Sequence, residues 1–242
     1  MASPDDAADR CRRNLAAVRD RVDEACRRSG RDPAAVRLVG VTKYVSSDHA
    51  RLLLEAGCVD LAESRPQSLW EKAAALDRCG TPVRWHLIGH LQRNKLRRTL
   101  PLVSLVHSLD SLRLLEAIDA EAATLGRVCD VLLEINLAAD PGRTGVAEEA
   151  VGPIVAAAAR VSHVRVVGLM GMASVPTADD GGAAARRQFT RLRELRDRLA
   201  RELPADRPLT ELSMGMSGDY VEAILEGATI VRIGSALWEG VA

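Results

Sequence analysis

Neither sign of charge prevails in this sequence. Its 33 basic residues balance 33 acidic ones over 242 positions, and no long run of one sign occurs, which argues against non-specific nucleic-acid or anionic-membrane binding. No apolar stretch approaches the ~18 residues expected of a membrane span. The opening Met1-Ala2-Ser3-Pro4-Asp5-Asp6 lacks the basic-then-apolar order of a signal peptide. The expected location is therefore the cytoplasm, and the expected partner a small molecule, with neither nucleic acid nor membrane. Cysteine is sparse as well. Cys11, Cys26, Cys58, Cys79 and Cys129 are odd in number, far apart and without a C-x-x-C pair, which argues against a disulfide framework or a cysteine zinc site. They are expected as small buried apolar side chains.

Lysine is scarcer still: only Lys43, Lys72 and Lys95 interrupt an otherwise arginine-based set of cations. Arginine stays protonated, whereas lysine can lose its proton and condense with a carbonyl. A retained lysine is therefore a chemical clue that calls for inspection.

The length suits a chain with a sizeable core. After an opening helix with the stripe Cys11, Leu15, Val18, Val22 and Cys26, eight apolar runs rich in β-branched residues alternate with helical patterns. The runs are Val36 to Thr42, Val59 to Ala62, Val83 to Ile88, Val103 to His107, Asp130 to Asn136, Val164 to Met170, Leu209 to Ser213 and Thr229 to Ile233. Helical spacing is clearest in Phe189, Leu192, Leu195, Leu199 and Leu203. Strands that alternate with helices pair in parallel, because each return to the sheet uses a helix. The expectation is a single (β/α)8 TIM-type barrel with an extra N-terminal helix, one domain over 1–242; an open doubly wound sheet is the competitor. The stretch from Ser174 to Gly182 reads as the loop after the sixth strand.

In such barrels chemistry gathers where strands end. The residues there are Lys43, Glu63, His86 with His90, Ser108, Asn136, Met170 with Met172, Ser213 with Met214, and Arg232. A lysine on a rigid strand end, partly buried, would form a Schiff base; an ordinary solvated loop lysine is the alternative. Ser213-Met-Gly-Met-Ser-Gly-Asp219 and Arg232-Ile-Gly-Ser235 supply glycine turns into helices after the seventh and eighth strands, where barrels often bind phosphate. Plain connecting loops would read the same way. His86 and His90 have H-x3-H spacing, but that spacing converges two imidazoles only on a helix, and this segment reads as a strand. His86 facing the mouth and a structural histidine pair both remain open. Glu63 would either hold neighbouring groups in place or cap the next helix. No carboxylate pair suited to glycoside hydrolysis, no G-x-S-x-G and no Walker loop is present.

Taken together, Val41-Thr-Lys43, Arg84-Trp-His-Leu-Ile-Gly-His-Leu-Gln-Arg-Asn-Lys95, His107-Ser-Leu-Asp110, Glu134-Ile-Asn136, Gly168-Leu-Met170, Leu212-Ser-Met-Gly-Met-Ser-Gly-Asp219 and Val231-Arg-Ile-Gly-Ser235 resemble the pyridoxal phosphate homeostasis protein family. Its members look like the barrel half of alanine racemase standing alone, a fold-type III coenzyme-binding barrel. The resemblance runs from the opening helix to the final strand. It implies that Lys43 binds pyridoxal 5'-phosphate as an internal aldimine, with the phosphate near Ser217, Gly234 and Ser235 and with Arg232 beside the pyridine nitrogen. Ser64, His86, Asn136 and Met214 complete the implied binding set. A cation beside that nitrogen would keep it unprotonated and weaken the ring as an electron sink. Two departures stand out: Ala62-Glu-Ser-Arg65 has Ser64 where relatives carry an asparagine, and Lys43-Tyr-Val-Ser46 lacks the usual proline.

The resemblance implies a protein that buffers or delivers pyridoxal phosphate without substantial catalysis, as a monomer, with apo-enzymes that depend on the coenzyme as possible recipients. The alternative is a pyridoxal-phosphate-dependent amino-acid racemase. That chemistry needs an acid/base group on the ring face opposite Lys43, which His86 or a partner subunit would have to supply; the two tyrosines are Tyr44 and Tyr220. A third class, a barrel enzyme acting on a phosphorylated metabolite without coenzyme, predicts a colourless protein.

Overall fold

Each of the eight apolar runs forms a strand: β1 (Arg37–Val41), β2 (Asp60–Glu63), β3 (Arg84–Leu87), β4 (Val103–Leu109), β5 (Cys129–Ile135), β6 (Val164–Gly171), β7 (Glu211–Ser213) and β8 (Ile230–Ile233). The computed structural model describes residues 4–138, 142–174, 182–203 and 208–241. The strands close in chain order into one parallel barrel, with β1 beside β8 in the register Gly40↔Ile233. Closure excludes the open doubly wound sheet. Strand ends shift by a residue or two from the apolar runs, most at β4, which continues to Leu109, and at β7, which starts at Glu211. Residues 175–181, most of the loop expected after β6, lie outside the described residues.

The helices are α1 (Pro4–Arg28), α2 (Ser47–Glu55), α3 (Pro66–Leu76), α4 (Leu96–Thr99), α5 (Leu112–Thr124), α6 (Val151–Ala158), α7 (Ala183–Glu202), α8 (Tyr220–Leu225) and α9 (Ser235–Trp238). Side-chain caps start two of them, since Ser46 accepts from the His49 N–H and Ser111 from the Leu114 N–H. Helix α1 buries its whole predicted stripe against α2, α8 and α9, and Asn14 Nδ2 donates to the Leu237 and Glu239 carbonyls at the C-terminal end of α9. Helix α7 buries Phe189, Leu192, Leu195 and Leu199, while Leu203 falls just past its end and is half-buried. Truncating Phe189, fully buried here, to alanine would cost about 3–5 kcal/mol.

Two apolar cores result. The larger lies between strands and helices, and Cys11, Cys26, Cys58 and Cys129 are buried within it as free thiols. The smaller fills the barrel with Val39, Val41, Ala62, Leu105, Leu132, Met170 and Ile230. At Gly168 a Cβ would meet the Glu211 carbonyl oxygen at 1.9 Å, so the β6–β7 approach requires glycine. Among the described residues no helix is long and apolar enough to cross a membrane.

Candidate functional site

Lys43 follows β1 at the C-terminal mouth of the barrel and is exposed. The chain turns there through Tyr44, the non-glycine residue with φ of +78°, whose ring lies 5.4 Å from Lys43 Nζ. The two carbonyls before Lys43 are both held by side chains from elsewhere: Trp238 Nε1 donates to Val41 O at 2.7 Å, and Lys72 Nζ donates to Thr42 O at 2.7 Å. The buried Glu63 carboxylate binds the Lys72 ammonium and accepts from Thr42 Oγ1 at 2.7 Å. Of its two expected roles, Glu63 thus holds its neighbours in place. Ser64 shares a cavity of about 340 Å³ with Lys43, Arg65 and Lys72. The loop after β3 presses against the same turn, where a Cβ on Gly89 would meet the Ser64 carbonyl oxygen at 2.2 Å.

Across the β1–β8 seam, Ser217 Oγ accepts from the N–H groups of both Gly234 and Ala236 at 3.2 Å. Two backbone amides thus converge on one oxygen-sized position, with Ser235 exposed between them. Beneath it lies Arg232, 3 % exposed. Its Nη1 donates to Ser213 O at 2.8 Å and to Ser213 Oγ at 2.6 Å, and its Nη2 to Gly171 O at 3.1 Å. Complete burial pulls its pKa down to about 10, against the opposing charges of Asp219 and Glu134. Burial also raises both of those carboxyls.

The remaining expected residues divide. Asn136 stands half-buried in the loop after β5, with its N–H on the Val146 carbonyl. Met214 turns its side chain into the outer core. His86 lies in the barrel interior with both ring nitrogens engaged, Nε2 3.0 Å from Asp60 Oδ1 and Nδ1 2.9 Å from His107 Nε2. It lines a cavity at the N-terminal end, with Arg37, Asp60, Arg84 and Arg165, and not the mouth. His90 is instead exposed beside Asp110. Thr42, Lys72 and His107 are not among the residues read at the strand ends, although the scarcity of lysine marks Lys72; Thr42 and Lys72 support the turn at the mouth, and His107 lies in the barrel interior.

The model of the alanine racemase N-terminal domain family matches residues 13–240, which defines the class: a barrel of the alanine racemase N-terminal type. The curated relatives narrow it. The pyridoxal phosphate homeostasis protein of Aquifex aeolicus is 37 % identical over 224 residues, 93 % of this chain and 95 % of that one. Its Deinococcus radiodurans counterpart is 38 % identical over 226 residues, 93 % of this chain and 99 % of that one. The chain belongs to the pyridoxal phosphate homeostasis protein family. Among solved structures, PipY of Synechococcus elongatus with pyridoxal phosphate bound is 29 % identical, with a TM-score of 0.80 over 94 % of this chain and 99 % of that one. Alanine racemase of Clostridium difficile shares the fold at 18 % identity and a TM-score of 0.70, with 95 % of this chain matching 56 % of the racemase.

Proposed function

We propose that this protein binds pyridoxal 5'-phosphate at the barrel mouth and buffers or delivers it, serving vitamin B6 homeostasis without substantial catalysis. When bound, the coenzyme supplies an aldehyde that is electrophilic toward a lysine amine, together with an anionic phosphate. Lys43 would hold the aldehyde end, Ser217, Gly234 and Ser235 the phosphate, and Arg232 the ring nitrogen, with Ser64, Asn136 and the Met214 backbone as walls. His86 supports this set from below. The observation that carries the reading is the adjacency of lysine and cradle. A Cβ on Gly234 would lie 3.6 Å from Val41 Cβ, two residues before Lys43.

The protein's own packing does not demand glycine at Gly218 or Gly234. A side chain at Gly218 would meet nothing within 4 Å, and at Gly234 only ordinary van der Waals contact, with φ negative at Gly234. Space left open beside two converging amides suits an anion. Arg232, a fixed cation, disfavours protonation of a neighbouring pyridine nitrogen. The racemase alternative needs a second acid/base group facing the ring. His86 has both nitrogens occupied, Tyr220 is buried in the outer core, and Tyr44 adjoins Lys43 on the same loop.

The same reading takes 1–242 as one coenzyme-binding domain, monomeric and cytoplasmic, with coenzyme-dependent apo-enzymes as recipients. The test is exchange of the α-proton of L- and D-alanine in heavy water with saturating coenzyme. Coenzyme uptake with negligible exchange is expected. Turnover near the ~10 per second typical of enzymes would overturn the carrier reading, and a colourless protein after incubation with pyridoxal phosphate would overturn coenzyme binding itself.

A further inference from the structure

An unbroken row of polar contacts runs through the barrel from the mouth toward its N-terminal end. Arg232 Nη1 donates to Ser213 Oγ at 2.6 Å. Ser213 Oγ lies 2.9 Å from His107 Nδ1, His107 Nε2 lies 2.9 Å from His86 Nδ1, and His86 Nε2 lies 3.0 Å from Asp60 Oδ1. All five residues are buried. At its outer end Asp60 is clasped by Arg84 Nε and Nη2.

Counting donors and acceptors leaves one arrangement of hydrogens. From the Arg232 end, Ser213 Oγ already accepts from a guanidinium that can only donate. The hydroxyl hydrogen is then free to go to His107 Nδ1, an order in which that nitrogen is bare. The His107 proton then sits on Nε2 and is donated to His86 Nδ1, also bare, so that the His86 proton on Nε2 is donated to Asp60. The opposite end fixes that order. Burial raises Asp60, but hydrogen bonds from Arg84 and His86 outweigh it and bring its carboxyl to about 2, so it is an acceptor only. Burial lowers both imidazoles, which keeps them neutral. Every donor points from Arg232 toward Asp60, and every lone pair points back toward the guanidinium.

Barrel interiors are ordinarily filled with branched aliphatic side chains, and replacing buried polar groups by such residues is often neutral or stabilising. This interior holds such side chains too, but retains among them a polar chain whose inner end is the arginine of the mouth. We propose that Asp60, His86, His107 and Ser213 are positioning residues for Arg232, a one-way relay that fixes both histidine tautomers and holds the guanidinium charged and oriented beneath the coenzyme. The role rests on the reading of Arg232 as the partner of the ring nitrogen; the hydrogen order does not.

The test has two arms, both on the full chain. Long-range 1H–15N correlation of the five imidazoles, without added coenzyme, is expected to show His86 and His107 with the proton on Nε2 and a bare Nδ1, unchanged between pH 8 and pH 6. Assignment uses His86→Gln and His107→Gln. A proton on Nδ1 of either ring, or an imidazolium at pH 7, overturns the relay whether or not coenzyme binds. In the second arm, Ser213→Ala is expected to weaken pyridoxal phosphate retention about tenfold in dialysis and to shift the visible band of the bound coenzyme, while Ser213→Thr, which keeps the hydroxyl, retains both. A folded Ser213→Ala protein with unchanged retention and spectrum overturns the positioning role. A parent protein that takes up no coenzyme overturns the reading of the site, and the positioning role falls with it while the tautomer result stands.

Discussion

The Lys72 ammonium donates to the carbonyl of Thr42 at 2.7 Å, so one of the chain's three lysines anchors the backbone that presents another. Lys72 is also paired with Glu63, and both side chains are buried. Removing one member of a buried pair strands the other charge. Lys72→Met is therefore expected to destabilise the fold by about 3–5 kcal/mol in urea titration, and Lys72→Met combined with Glu63→Gln to recover part of that loss. A change below about 1 kcal/mol in the single variant, the range of an exposed pair, would contradict the burial of this ion pair.

Stability should fall on mild acidification. Burial lowers the pKa of His86 and, more strongly, of His107, so the unfolded chain binds protons that the folded chain refuses. Their contribution is complete above the unfolded value near 6.5 and is lost progressively as pH drops below it. Each histidine contributes a slope of up to about 1.4 kcal/mol per pH unit. Asp60 adds a second window: with its folded pKa at about 2 against 3.8 unfolded, its stabilisation is present above 3.8 and lost as pH falls from there through about 2. Urea midpoints at pH 7.5, 6.5 and 5.5 test the first window, where a flat profile would count against neutral buried imidazoles.

At the cradle, Ser217→Ala and Ser235→Ala together should weaken retention of pyridoxal phosphate, each lost charge-assisted hydrogen bond costing about 1.5–3 kcal/mol. The Gly234 and Ala236 amides that converge on Ser217 Oγ survive both changes, so binding is reduced and not abolished. Equilibrium dialysis reads the effect. Retention equal to that of the parent would place the phosphate elsewhere.

Tyr44 adopts φ of +78° while 90 % exposed, a conformation unfavourable to a bulky residue that gains no burial from it. Tyr44→Asn, which tolerates the left-handed region, should stabilise the fold by about 0.5–1 kcal/mol. Thermal denaturation showing destabilisation instead would mean that the tyrosine ring contributes packing at this turn.

Much of the barrel was legible because its strands, covered by helices outside and side chains within, are continuous apolar runs separated by helices with clear stripes. The same continuity hid what faces inward. Trp85, His86 and Leu87 are all buried, so no alternation shows that His86 points into the barrel toward Asp60 and His107. Lys43 and the glycine turns were legible because they sit at strand ends, where side-chain chemistry departs from its surroundings. Lys72 was not placed, since a lysine within a helical pattern reads as solvated until the fold shows which face of α3 meets Glu63. The hydroxyl of Ser213 gains meaning only from Arg232, 19 positions further along the chain.

The scarcity of lysine makes the proposed attachment of the coenzyme to Lys43 directly testable. Lys43 is exposed, its Nζ 5.4 Å from the Tyr44 ring, whereas Lys72 is tied to Glu63 and Thr42 and Lys95 lies over the Trp70 ring. The measurement is borohydride reduction of the protein after incubation with pyridoxal phosphate, followed by peptide mapping of the pyridoxyl label. The label is expected on Lys43 alone, and is expected to be lost in folded Lys43→Ala and Lys43→Arg proteins, since arginine keeps the charge but cannot condense with the aldehyde. A label on Lys72 or Lys95, or none at all, would contradict it.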